Sequence, residues 1–148
     1  METLKITESD IKDGKYIVGA VDFEGHVEID EGLGWVKFDS IKATGSIVVG
    51  VGTSIEASMG IEAGGSIKAG TSIEAGTSIK AGMGIKAGMG IKAGTGIKAG
   101  TNISIKLRIF AGLIMWRKPN PEEMEIKCRQ LESGEVAYGN LIEAPKGG

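Results

Sequence analysis

Ile67-Lys-Ala-Gly-Thr-Ser72, Ile73-Glu-Ala-Gly-Thr-Ser78, Ile79-Lys-Ala-Gly-Met-Gly84, Ile85-Lys-Ala-Gly-Met-Gly90 and Ile91-Lys-Ala-Gly-Thr-Gly96 are five successive copies of one hexad. Isoleucine recurs every six residues from Ile55 to Ile109. A helix cannot use this pattern. At about 100° per residue an apolar side chain every six positions spirals around the whole cylinder. Its glycines would each cost roughly 1 kcal/mol relative to alanine. A strand alternation divides six evenly: Ile points in, Lys or Glu points out, and Ala points in again. Gly and the two small or flexible residues after it then turn the chain, because glycine accepts a positive φ or a crowded corner.

Three such hexads close one triangular coil of about 18 residues, and coils stack about 4.8 Å apart through parallel ladders. The fold class read from the repeat is therefore all-β, a triangular parallel β-solenoid. The register runs backward through Ile41 and Ile47 with one slip. Ile47 and Ile55 are eight apart, which predicts a bulged corner within 48–54. The narrow interior also explains why no aromatic residue lies between Phe38 and Phe110.

The charges obey the same period. Between Ile55 and Gly100 every charged residue directly follows an isoleucine. An 18-residue coil sorts them into three outward ladders: Glu56, Glu74 and Lys92; Glu62, Lys80 and Lys98; Lys68 and Lys86. Glu74 with Lys92 and Glu62 with Lys80 are expected as vertical neighbours of opposite sign. The surface should run from acidic to basic along the axis.

Working outward, residues 1–40 read as an N-terminal cap with irregular coils, 41–112 as the hexad solenoid, and 113–148 as a C-terminal cap or oligomerisation hairpin. Tyr16, Phe23, Trp35 and Phe38 are expected as large fillers of the first coils. Pro119 and Pro121 break the repeat. Beyond them, Met124–Leu131 and Val136–Ile142 alternate around Glu132-Ser-Gly-Glu135, the pattern of a β-hairpin. A helical start at Pro121 is the other reading. Leu113, Ile114, Met115 and Trp116 are too apolar for free solvent: they either cover the last coil or, with Tyr138, form the candidate oligomer interface, and the two readings are not exclusive.

The hexads resemble the hexapeptide-repeat β-solenoids, whose best-known members are left-handed β-helix acyltransferases. Thr53, Thr71, Thr77, Thr95 and Thr101 match that family's small residue two before the aliphatic one; Met59, Met83 and Met89 do not. The resemblance implies the solenoid, with the left hand favoured by the regular hexads. It also implies a candidate catalytic histidine, and His26, in Glu24-Gly-His-Val-Glu28, is the one histidine in the chain. Its bland alternative is an edge-strand residue. Bactofilin-type helices, which polymerise, also have short triangular coils. The stretches Arg108–Gly112 and Trp116–Met124 make the chain similar to uncharacterised repeat proteins of bacteriophages and gut bacteria.

Composition narrows the chemistry. Glycine is 25 of 148 residues, but proline is only 3, unlike collagen or a Pro/Gly-rich disordered tail. The formal charge of −2 argues against a nucleic-acid or anionic-membrane grip. One cysteine, Cys128, permits no internal disulfide. The run Ile109–Trp116 is too short to span a bilayer, and no basic-then-apolar leader opens the sequence. A cytoplasmic location in a bacterial or phage-infected cell is expected. Phosphate-loop and calcium-repeat motifs are absent, so no cofactor or metal is expected. The Thr-Ser pairs suggest an ice-binding grid, but Met89 interrupts the column of Thr53 and Thr71. The leading expectation is a non-catalytic solenoid presenting a rigid binding surface, as a dimer or trimer, and in its sharpest form a phage-encoded inhibitor of a host defence protein. The candidate surface is the lysine set Lys68, Lys80, Lys86, Lys92 and Lys98. The alternatives are a filament-forming scaffold and an acyltransferase using His26.

Overall fold

The computed structural model describes residues 2–113 and 117–143. It is a parallel β-solenoid of about seven turns with no α-helix among those residues. Three faces repeat in order. The first face stacks Thr3–Ile6, His26–Ile29, Ile47–Val49, Ile67–Ala69 and Ile85–Ala87. The second stacks Lys15–Tyr16, Gly34–Phe38, Thr53–Ala57, Ile73–Ala75 and Ile91–Ala93. The third stacks Ala20–Phe23, Ser40–Ala43, Ile61–Ala63, Ile79–Ala81, Ile97–Ala99, Glu125–Cys128 and Asn140–Glu143. The long strand Asn102–Ala111 turns a corner, pairing with the first face at Ile103 and with the second at Ile109.

Register follows the sequence period. Ile61 sits on Ile79 and Ile73 on Ile91, eighteen residues apart. The earlier coils are longer: Ile47 pairs with Ile67 and Val21 with Ile41, twenty apart. The expected bulge lies at 50–52, where Gly52 turns with a φ of 79°. Every inward isoleucine from Ile41 to Ile109 is at most 1% exposed, and the alanines after them are buried too. Each such isoleucine contributes roughly 1.5–3 kcal/mol of transfer free energy.

The glycine after each alanine serves the stacking, not the dihedral. A Cβ on Gly94 would lie 2.0 Å from the Gly76 carbonyl oxygen one coil below, and Gly82, Gly88 and Gly100 face the same obstruction at 2.0–2.1 Å. None of the four has a positive φ. Corners therefore nest carbonyl against Cα, which only glycine permits. The last hexad position is looser. It alternates between Ser66, Ser72 and Ser78 and Gly84, Gly90 and Gly96 without change of register.

The two ends differ from the sequence expectation in two ways. At the N-terminal end, Ile11–Lys12 and Lys15–Tyr16 form a tight antiparallel hairpin through Asp13 (φ 52°) and Gly14 (φ 75°). Tyr16 and Phe38 fill the first coils, with ring centroids 5.2 Å apart, and Phe23 packs partly buried against the core. Trp35 does not: it is 46% exposed, because Val36 and Phe38 hold the inward positions of its strand. At the C-terminal end the two segments expected as a hairpin do not pair with each other. Gln130–Tyr138 pairs in parallel with Asn102–Ala111, and Asn140–Glu143 in parallel with Glu125–Cys128. The open parallel edge of the coil below offers each segment a partner, so the alternation continues the stack.

Candidate docking surface

Each outward ladder appears as the 18-residue coil requires. Glu56, Glu74 and Lys92 are in register on the second face, Glu62, Lys80 and Lys98 on the third, and Lys68 and Lys86 on the first. The five candidate lysines are thereby distributed over three faces and form no common patch. On the third face Lys127 continues the column above Lys98, but Glu122, Glu123 and Glu125 surround it, and Glu125 lies 3.3 Å from Lys127.

The expected Glu74–Lys92 and Glu62–Lys80 ion pairs are not made within 4 Å among the described residues. Lys92 instead sets its ammonium over the Phe110 ring, 5.6 Å from the centroid. Glu74 keeps Glu56 as its lower neighbour in the ladder, with Lys37 in register below Glu56 and Lys92 above Glu74. Both residues are partly buried, whereas the other outward charged residues of the hexad region are exposed. Like charges opposed across a ladder are unfavourable.

Glu74, Lys92 and Phe110 border a groove of about 460 Å³ on the second face. Its floor follows the column of residues that precede the inward positions: Trp35, Ser72, Gly90 and Arg108 line it, and Ser54, between Trp35 and Ser72, is buried. Ser72 and Gly90 carry little bulk, so a trough opens between the Trp35 ring and the Arg108 guanidinium. One wall is the corner column ending in Met89 and Leu107, 47% and 51% exposed. The other wall is Glu74, Lys92 and Phe110. Four ladder steps separate Trp35 from Arg108, or about 19 Å at the usual strand spacing. Sequence reading placed Trp35 in the core and did not bring it to Arg108. The signal was available in the residue before each inward position, once the 19-residue step from Val36 to Ile55 is known.

The corners beside this groove are fixed internally. Thr53 is buried, donating to the Asp30 carbonyl at 2.6 Å and accepting from the Leu33 N–H at 2.9 Å. Thr71 donates to the Thr53 carbonyl at 2.6 Å, and Ser54 and Thr71 share a hydroxyl contact. Threonines committed to the backbone brace coils and do not form an outward grid.

His26 belongs to a similar brace on the first face. Its Nδ1 accepts from the Ser46 N–H at 2.9 Å, the Ser46 hydroxyl accepts from the Ser66 N–H at 3.0 Å, and the Ser66 hydroxyl accepts from the Gly84 N–H at 3.4 Å. One ring nitrogen is thus occupied by the fold. Cys128 is buried beneath Glu143, and burial, followed by that carboxylate, pushes its thiol upward in pKa. Among the described residues no group of three His, Cys, Asp or Glu converges as a metal site, and no helix is long and apolar enough to cross a membrane.

Of the candidate oligomer residues, Leu113 donates its N–H to Ala93 and is partly exposed; Tyr138 stacks in register on Phe110 and is also exposed. Ile114, Met115 and Trp116 lie outside the described residues. The loop after them is anchored by Glu123. Its carboxylate takes two hydrogen bonds from Arg117, at 2.6 and 2.5 Å, and a third from the Asn120 N–H. The Arg117 contact, then the Asn120 bond, holds Glu123 down to a pKa of about 2. Pro121–Met124 is a short 3-10 turn capped by Asn120. Comparison of the chain with family models, curated proteins and solved structures finds no match.

Proposed function

We propose that the protein is a non-catalytic β-solenoid that works by presenting a rigid docking surface to another protein. The observation that carries this reading is the second-face groove, where Trp35, Met89, Leu107 and Phe110 are gathered on an outer surface. Exposed apolar residues gathered in one place, with charges at the rim, mark protein interaction sites. The scaffold suits the task. Its strands are locked by ladders and its corners by hydroxyl braces, so ordering the surface on binding costs little.

The sharper form is a phage-encoded inhibitor that occupies a host defence protein, in a cytoplasmic setting and as a dimer or trimer of left-handed solenoids. It draws support from the resemblance to phage and gut-bacterial repeat proteins. A second reading, end-to-end assembly, is favoured by the last coil. There Leu141 sits above Ile126 at an inward position yet remains 36% exposed. Glu143 at the next inward position, above Cys128, and the bulges of Gln130–Tyr138 oppose unlimited stacking, as does the antiparallel hairpin at the other end. The test is affinity capture from host lysates with the wild type and with Leu107→Glu, alongside light scattering across a concentration series. Saturable capture of one protein that Leu107→Glu loses supports docking. Particles that lengthen with concentration, with no captured protein, support a structural role and overturn it.

A further inference from the structure

We infer that Glu143 is a stop: it keeps a second copy of this chain from docking on the upper end of the solenoid, and replacing it by an aliphatic residue turns that end into a two-fold interface between copies. The inference concerns end-to-end contact and stands apart from the second-face groove.

The upper end is the one a second copy could use. Asn140–Glu143, the last strand of the third face, pairs with Glu125–Cys128 below it, and among the described residues no strand pairs above it. Gln130–Tyr138 is likewise the last strand over Asn102–Ala111. The inward side chains of this coil are incompletely covered. Leu131 and Val136 are partly buried and Leu141 is 36% exposed, whereas Ile103, Ile109 and Ile126 directly beneath them are at 0%. An apolar mouth edged by unpaired strands is a template for another chain. The lower end is closed. There Ile11–Lys12 pairs antiparallel with Lys15–Tyr16, and the inward Ile6, Tyr16 and Val21 are buried. With one open end per molecule, contact between copies runs upper end to upper end, an isologous pairing that closes at two.

Glu143 obstructs that contact in two ways. First, its position is inward. It stands in register above Cys128, in the column that Ala63, Ala81 and Ala99 hold in the coils below. A second copy covering this end would enclose two carboxylates, one from each chain, against an interior that is otherwise apolar. Enclosing a charge without a partner is unfavourable, and two of one sign more so. Second, the carboxylate takes a hydrogen bond that a docking strand would need. In the coils below, the inward N–H donates to a carbonyl of the next coil, as Ile61 does to Ser78 and Ile79 to Gly96. Leu131 holds the same inward place above Ile103, but its N–H donates to Glu143 Oε2 at 2.9 Å. An acidic side chain thus stands where the backbone oxygen of a further coil would be.

The experiment compares wild type, Glu143→Leu and Glu143→Lys by light scattering across a concentration series and by small-angle X-ray scattering. Glu143 is exposed, and circular dichroism checks that each variant keeps the wild-type strand signal. Wild type and Glu143→Lys, which keeps a charge at the inward position, should hold one mass throughout. Glu143→Leu should rise with concentration to twice that mass, with a maximum dimension about twice as long. Adding Leu141→Glu to Glu143→Leu should restore the wild-type mass. Adding Leu107→Glu instead should leave the doubling intact, which separates this inference from docking at the groove. Glu143→Leu held at the wild-type mass overturns the inference, as does wild type that itself lengthens with concentration. So do fibres of Glu143→Leu, doubling in Glu143→Lys, or doubling that survives Leu141→Glu.

Discussion

Replacing Gly94 by alanine separates two explanations of the repeat's glycines by the sign of the effect. Gly94 has no positive φ, so a purely conformational view treats alanine as harmless. By stiffening the unfolded chain it would then stabilise by about 0.4–1 kcal/mol. The structure gives the opposite sign. The new Cβ would stand 2.0 Å from the Gly76 oxygen and 2.9 Å from its carbon, both backbone atoms with no side-chain freedom to move aside. Reaching ordinary contact near 3.4 Å requires the two coils to part by over an ångström at that corner. The Gly94 N–H bond to Ala75, 3.0 Å long, would stretch or break with it. One lost hydrogen bond costs about 1 kcal/mol, and strain in packed neighbours adds roughly 1–3 kcal/mol. The expected destabilisation is about 2–4 kcal/mol. Gly96→Ala is the control, since its Cβ would meet the Glu125 oxygen at 3.2 Å and the equivalent hexad positions carry serine. It should stay within about 1 kcal/mol of wild type. Urea unfolding monitored by circular dichroism reads both, with equal slopes required for the comparison. A Gly94→Ala protein as stable as wild type, or more so, would refute the nesting of carbonyl against Cα.

Three further outcomes follow from the same geometry. Ile79→Lys should abolish the strand signal in circular dichroism, because it puts an unpaired charge where the native side chain is 0% exposed, whereas exposed Lys86→Ala should shift stability by well under about 1 kcal/mol. His26→Ala should cost about 0.5–1.5 kcal/mol in urea unfolding by leaving the Ser46 N–H without its acceptor; no loss of stability would remove the bracing role. Glu123 has a folded pKa of about 2 against an ordinary 4.5, so its anchoring of the loop is complete above about pH 4.5 and disappears as pH falls through 2. Carboxyl titration by NMR should place its midpoint near 2 and move it upward in Arg117→Ala; a wild-type midpoint near 4.5 would contradict the Arg117 contact.

The six-residue recurrence of isoleucine was sufficient to give the coil and its register, because one inward position repeated through the chain leaves the strand period no freedom. The outward ladders followed from it down to individual pairs, such as Glu62 on Lys80. The C-terminal hairpin did not follow. Met124–Leu131 and Val136–Ile142 alternate alike whether they pair with each other or with the coil below. The choice is made by the unpaired edges at Ile103 and Ile126, a property of the stack and not of the segment. Trp35 was misplaced because a bulky aromatic suggests core. Yet Val36 and Phe38 already claim the inward parity of its strand, and parity outranks size in a two-residue alternation. The groove was hidden because Trp35 and Arg108 share one column only through four ladder steps, the first of which is nineteen residues.

The measurement closest to the central claim compares three charge or shape changes, one per face, for binding to the captured partner: Lys86→Glu on the first face, Leu107→Glu on the second and Lys80→Glu on the third. All three sites are exposed, so the fold should be retained in each. The expected result is wild-type affinity for Lys86→Glu and Lys80→Glu and at least about a tenfold loss for Leu107→Glu. Loss of binding in either lysine variant with Leu107→Glu unaffected would contradict docking through the second face.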